Sequence, residues 1–328
     1  MSKRLLIGAF AGLLGSVSLH ATQNFLVASL RSNSLEQFTT SGTWVRTFAT
    51  TGPYAPYALA QSPVSGEIFV TTQVPSGATA TILRYKANGT FDTDWDTFTV
   101  SCGGCVGGPN TQSLLFDSAG NLWVATAYGN DFSGAPINIL KYLAADLAKP
   151  NPVPQPNPIL APMYRGNQMA FNMSGDICIA GFIDEDVKCF NTSTGVMTQD
   201  YYDEIHASSV SPIIEPVGLA FDGANRMYLT SVFSGQLAKE TSPGGSIVLL
   251  ATLTSAPNLL ESNIVLRGSH LYASVFQYPA PTVSTPDPVY EVTTSGIVTN
   301  FIYGTAPPAL GNDHIWGAGW MILFNGAL

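Results

Sequence analysis

Ser113-Leu-Leu-Phe-Asp-Ser-Ala-Gly-Asn-Leu-Trp-Val-Ala-Thr126 places two short runs of apolar and β-branched residues on either side of a turn made from Asp117, Gly120 and Asn121. That is the signature of a β-hairpin. Its second half recurs along the chain: Phe25-Leu-Val-Ala-Ser, Ile68-Phe-Val-Thr-Thr, Leu122-Trp-Val-Ala-Thr, Ile177-Cys-Ile-Ala-Gly, Met227-Tyr-Leu-Thr-Ser and Leu271-Tyr-Ala-Ser-Val. The starts of these six segments differ by 43, 54, 55, 50 and 44 residues. Such spacing suits one four-stranded propeller blade per repeat, with loops of variable length.

The flanking sequence fills out each blade. A strand such as Ile82-Leu-Arg-Tyr85, Val187-Lys-Cys-Phe190 or Val289-Tyr-Glu-Val292 follows each copy, and in most blades a Gly comes soon after, where a hairpin needs positive φ. An outer strand such as Trp44–Phe48 or Ile247–Leu250 then follows. An inner strand precedes five of the copies: Tyr57–Ala60, Ser113–Phe116, Met169–Phe171, Gly218–Phe221 and Ile264–Leu266. We call the four strands a to d from the centre outward. The first copy, at Phe25, lacks a strand a, and the missing one is found at Ile315-Trp-Gly-Ala-Gly-Trp320, with Gly317 and Trp320 matching Gly218 and Phe221. The expectation is an all-β, six-bladed β-propeller over residues 22–328, closed when the C-terminal strand completes the N-terminal blade. Closure removes exposed sheet edges.

Composition narrows the function classes. The 328 residues include only 13 basic and 22 acidic side chains, for a net charge of −9, which excludes a nucleic-acid partner that would need clustered Lys and Arg. Low charge with 31 Gly and 22 Pro excludes coiled coils and helical bundles, and 17 Phe, 13 Tyr and 5 Trp supply a large core. Lys3-Arg4, the uncharged run Leu5–Leu19 and Ala21 have the layout of a secretory signal peptide over residues 1–21, and that run is too short to span a membrane. The mature chain is expected to be secreted or periplasmic, without a membrane span, and monomeric.

Export makes the four cysteines readable as disulfides. Cys178 and Cys189 fall on strands b and c of the fourth blade, equidistant from the b–c turn, and should face each other. Cys102-Gly-Gly-Cys105 is then the second pair, set in a Gly-rich stretch without the helix N-terminus of a redox site or a second ligand pair for zinc. Asp184-Glu-Asp186 and Asp92-Thr-Asp94-Trp-Asp96 are acidic clusters. The latter lacks the Gly and Glu of a calcium loop and reads as a solvent-facing strand. Asn88, Asn172 and Asn191 head glycosylation sequons.

Ser113–Thr126 and Pro216-Val-Gly-Leu-Ala-Phe-Asp-Gly-Ala-Asn-Arg-Met-Tyr-Leu229 resemble the NHL and SMP-30/gluconolactonase group of propellers, over essentially the whole mature chain as blade pattern. The resemblance implies that d–a and b–c loops share one face around the mouth of a central channel. Lys149–Pro162 is read as a Pro-rich d–a loop, and Gln73–Thr81, Tyr128–Pro136 and Tyr278–Pro288 as b–c loops of a binding surface there. The residues just before each strand a should ring the mouth: Tyr57, Asn110, Asn167, Glu215, Glu261 and His314. The resemblance also implies a mouth-bound divalent metal, calcium or zinc, with Asn110 and Glu215 as its candidate ligands, serving a lactonase. The first position, Tyr54-Ala-Pro-Tyr57, carries no acid, and Val217 stands where a polar residue is usual. The leading expectation is therefore a non-catalytic binding module for a polypeptide or carbohydrate, with no cofactor. A metal-dependent SMP-30-type lactonase or hydrolase is the alternative.

Overall fold

Six antiparallel four-stranded sheets follow one another around a central channel, each packing against the next. The computed structural model describes residues 23–30, 32–73, 79–99, 110–127, 137–163, 166–181, 184–206, 215–231, 234–253, 259–260, 263–277, 288–302 and 318–325. The expected leader over residues 1–21, Cys102, Cys105, Glu261, His314 and most of the three expected b–c loops lie outside these residues. From blade 1 to blade 6 the inner strands are Ala318–Asn325, Ala55–Gln61, Asn110–Phe116, Gly166–Phe171, Pro216–Phe221 and Ile264–Arg267. The second strands carry the recurring segments. Those of blades 4 and 5, Ile177–Gly181 and Met227–Ser231, are buried at every residue, because neighbouring blades cover both of their faces. This accounts for a continuous apolar run where a one-sided sheet would alternate. The outer strand of blade 4, Met197–Asp200, is largely exposed.

Blade 1 is closed by the C-terminal strand, which pairs antiparallel with Gln23–Ser29. Its register differs from the expected one by three residues. Phe25 faces Leu323, as Met227 faces Phe221, so Leu323 and not Trp320 is the counterpart of Phe221. The apolar run Trp320-Met-Ile-Leu-Phe324 is better suited to a strand sandwiched between blades than Ile315–Trp320, where Gly317 and Gly319 offer no side chain to pack. The closure seam is aromatic: Phe25 lies 4.6 Å from Tyr272 and 5.3 Å from Phe301, ring centre to ring centre. Gly42, in the c–d hairpin of blade 1, has φ 81° and would place a Cβ 2.4 Å from the Phe301 carbonyl oxygen of blade 6. Gly89 of blade 2 meets the Phe48 carbonyl of blade 1 in the same way, at 2.2 Å. Glycine there satisfies both the turn and the approach of the next blade.

The Pro-rich stretch corrects a second expectation. Ile159–Ala161 pairs with Ile137–Ile139 and is itself the outer strand of blade 3. The connection before it, which includes the 3-10 turn Ala144–Asp146, therefore joins strand c to strand d. It lies on the face of the a–b and c–d turns, opposite the predicted mouth. Blade 3 has no hairpin Gly after Tyr142, and without that marker the outer strand could not be placed from sequence.

Cys178 and Cys189 face each other in register and form a disulfide, both fully buried. Asp92 pairs with Arg84 and Asp96 accepts from Tyr142 Oη at 2.7 Å, while Trp95 between them is buried. That strand, Phe91–Thr99, is the outer strand of blade 2. Among the described residues no helix is long and apolar enough to cross a membrane.

Candidate functional site

The inner strands do not run straight to the mouth. In blades 1 to 5 the register against the second strand slips near the mouth end, between Ser29 and Val27, Pro56 and Leu59, Thr111 and Ser113, Gly166 and Met169, and Pro216 and Gly218. Such bulges leave a backbone N–H without its ladder partner and re-aim the neighbouring side chains. Hydroxyls at the fourth position of the recurring segment take up some of these donors. Ala58 N–H donates to Thr71 Oγ1 (2.8 Å) and Gly218 N–H to Thr230 Oγ1 (3.0 Å), and in blade 6, whose described inner strand has no such slip, Asn263 N–H likewise donates to Ser274 Oγ (3.2 Å). In blades 1, 3 and 4 that position is Ala28, Ala125 and Ala180.

One step further inward, side chains bolt blade to blade. Met169 N–H donates to Ser113 Oγ of blade 3 at 3.0 Å, and Met321 N–H to Asn263 Oδ1 of blade 6 at 2.9 Å. Gln168 of blade 4 serves two neighbours. Its Oε1 accepts from Leu219 N–H of blade 5 and Ile264 N–H of blade 6, both at 2.9 Å, and its Nε2 donates to the Ile264 carbonyl at 2.8 Å. Blade 5 has Gly218 at the matching position, so no side chain blocks the reach. Trp320 holds the same position in blade 1 and packs on Tyr57, ring centres 5.9 Å apart.

Gln168, Asn263 and Trp320 thus form a layer within the channel. From it a cavity of about 450 Å³ extends to Pro63 and Asn325, on the face of the a–b turns. Its wall includes the half-buried Phe116, Phe171 and Phe221, which end three successive inner strands. Sequence reasoning missed this layer. The signal available was a polar residue immediately before the inner apolar run in Ser113, Gln168 and Asn263.

Of the expected mouth residues whose side chains are described, Tyr57, Asn167 and Glu215, none lines this cavity. Tyr57 is 6% exposed and belongs to the core beside Trp320. Glu215 is half-buried with φ 64°, immediately before the inner strand of blade 5. Asn110 begins the inner strand of blade 3, and its side chain is outside the described part, as are Glu261 and His314 altogether. Asn167 is 2% exposed, and neither Oδ1 nor Nδ2 has a hydrogen-bond partner among the described residues. It sits in the bulge of blade 4, at the position that Val217 fills in blade 5.

The implied metal does not fit what is described. A calcium site takes six to eight oxygens, and Glu215 is the one carboxylate of the predicted ring among the described residues. No group of three or more His, Cys, Asp or Glu there could hold a metal ion. The acidic turn Asp184–Asp186 is used internally. Burial pushes the Asp186 carboxyl up, against the pull of Lys188, whose ammonium bonds to it, and Glu185 pairs with His206 at 3.1 Å.

No model of a known protein family matches the chain, and no curated protein matches it in sequence. Solved structures do resemble it. The nidogen/laminin complex aligns with a TM-score of 0.61 at 10% identity, over 93% of this chain and 100% of the other. A protein of unknown function from Bacteroides caccae gives 0.58 at 14%, over 92% and 99%. A streptogramin B lyase gives 0.52 at 12%, over 87% and 85%. At such identities the likeness is one of architecture, and the chain shares with these proteins the β-propeller fold.

Proposed function

We propose that the chain is an exported, monomeric binding module of the NHL and SMP-30 type of propeller, holding a polypeptide or carbohydrate at the channel mouth without catalysis. Asn167 is the observation that carries this reading. A buried primary amide with no partner costs about 1–3 kcal/mol for each unsatisfied group, and blade 5 fills the equivalent position with the apolar, buried Val217. An amide kept there at a cost in stability is suited to pairing with polar groups of a ligand arriving at the mouth. The buried disulfide supports export. The fold is neutral between readings, since its structural neighbours include both a lyase and a protein complex.

The test uses the mature chain and its Asn167→Val variant on a glycan array and a displayed peptide library. Hits that Asn167→Val loses, together with a thermal midpoint at or above that of wild type, support the reading. Hits unchanged by the variant would remove Asn167 from the site. Calorimetric titration with Ca²⁺ or Zn²⁺, on wild type and Glu215→Gln, covers the lactonase alternative. One tight site lost in Glu215→Gln, with metal-dependent lactone hydrolysis, would replace the binding-module reading.

A further inference from the structure

A second cavity, of about 670 Å³, lies between blades 3 and 4 on the face opposite the mouth. Its walls come from three places: Trp123 and Lys141 on adjacent strands of blade 3, the Pro-rich c–d connection, and the c–d turn Thr192–Gly195 of blade 4. Blade 4 seals one side, with Gly195 packed near Ile159.

The polar groups on this cavity have unused bonding capacity. Lys141 holds its Nζ 4.8 Å above the Trp123 ring centre, and no carboxylate among the described residues forms an ion pair with it. The nearby Asp117 is spent on Asn121, on the Trp123 indole N–H at 3.1 Å and on turn backbone, and does not line the cavity. The side-chain amides of Gln155 and Asn157 and the Ser193 hydroxyl also make no hydrogen bond among the described residues. Pro156, Pro158 and the 59% exposed Leu160 place apolar surface between these groups. In a chain of net charge −9, an unneutralised ammonium inside a cavity is a selective feature.

We infer that this inter-blade cavity binds an acidic saccharide, with Lys141 facing the carboxylate. Gln155, Asn157 and Ser193 then pair with ring hydroxyls, and the proline rings and Leu160 cover the C–H faces of the sugar. Amides and hydroxyls donate and accept in several directions, as a polyhydroxylated ring requires. Indole stacking fixes the ammonium on one side and leaves the other free for an anion. The two prolines hold the connection semi-rigid, so little entropy is lost on binding.

The test is calorimetry on the mature chain at low salt with three probes: trigalacturonate, its methyl ester and triglutamate. Trigalacturonate should bind, and the methyl ester about tenfold more weakly or worse, the loss expected for one charge-assisted hydrogen bond. Lys141→Met keeps the stem over Trp123 and should lose the same factor, and Gln155→Ala, away from the sheet, should weaken binding with the fold intact. Raising the salt should weaken trigalacturonate binding. Three results would each overturn the inference: no heat with trigalacturonate at millimolar concentration, affinity unchanged in both variants, or triglutamate bound as tightly with the same dependence on Lys141.

Discussion

Gln168 Oε1 accepts the backbone N–H of Ile264 at 2.9 Å, linking blade 4 to blade 6 past the glycine of blade 5. A propeller's inner strands each have one edge facing the channel, with no strand to pair it. Here equivalent donors, at Met169, Leu219, Ile264 and Met321, are satisfied by side chains from other blades. The channel centre is thereby cross-linked by polar bonds, while the blade interfaces around it are held by apolar contact.

Replacing Gln168 by Leu preserves much of the volume and strands two backbone N–H groups and one carbonyl. At about 1–3 kcal/mol for each buried unsatisfied group, the expected loss is about 3–5 kcal/mol, since water entering the channel recovers part of it. Urea unfolding of the variant measures this. A midpoint equal to wild type would mean that the bolt contributes nothing.

Closure by the C-terminal strand predicts that damage at one end of the chain is felt around the ring. Trp320, 7% exposed and packed on Tyr57 of blade 2, should cost about 3–5 kcal/mol when changed to Ala. Truncation after Gly311 removes the whole strand and opens both seams of blade 1. Differential scanning calorimetry should then show one transition at much lower temperature. Two transitions, with the larger at the wild-type midpoint, would mean that blade 1 frays alone.

The blades were legible because their second strands are buried on both faces, and a repeated apolar run such as Leu122–Ala125 is hard to mistake. The disulfide followed from counting residues outward from a short turn. Two details were not legible. The register of the C-terminal strand depends on which residues pack between blades, and Gly317 and Trp320 gave a misleading match to Gly218 and Phe221. The outer strand of blade 3 has only Ile159–Ala161 after a long Pro-rich connection, so local sequence does not mark it. The channel layer escaped for another reason: Gln168, Asn263 and Ser113 act on backbone groups of other blades, a relation that exists only once the ring has closed.

The Cys178–Cys189 bond closes a short loop, with a sequence separation of 11, across one hairpin. Chain entropy gives a loop of that size about 3 kcal/mol of stabilisation. Cys178→Ala/Cys189→Ala should lower stability by about that amount. Non-reducing peptide mapping of the wild type should recover the 178–189 cross-link. Recovery of Cys178 joined to Cys102 or Cys105 would contradict the pairing.

Asp117 anchors the a–b turn of blade 3 and should make that turn sensitive to acid. Burial pulls its carboxyl upward, but hydrogen bonds from the Asn121 side chain, the Trp123 indole and the backbone N–H groups of Asn121 and Ala119 outweigh it and hold it below the usual range. Asp222 is held low in the same way in blade 5, with Arg226 as its main partner. A carboxyl with a depressed folded value contributes stability that is fully present above the unfolded value, about 3.9, and is lost as pH falls through the folded value. Asp96 and Glu240 are pushed upward chiefly by burial and have the opposite slope, so the total pH profile mixes the two signs. The informative quantity is the stability gap between wild type and Asp117→Asn. That gap should be constant from about pH 5 to 7 and shrink as pH drops below about 4, because protonation removes from wild type what the substitution has already removed. Urea unfolding of both proteins at half-unit steps from pH 2.5 to 7 measures it. A gap that stays the same down to pH 2.5 would mean that Asp117 holds its turn as a hydrogen-bonding group whose charge is irrelevant.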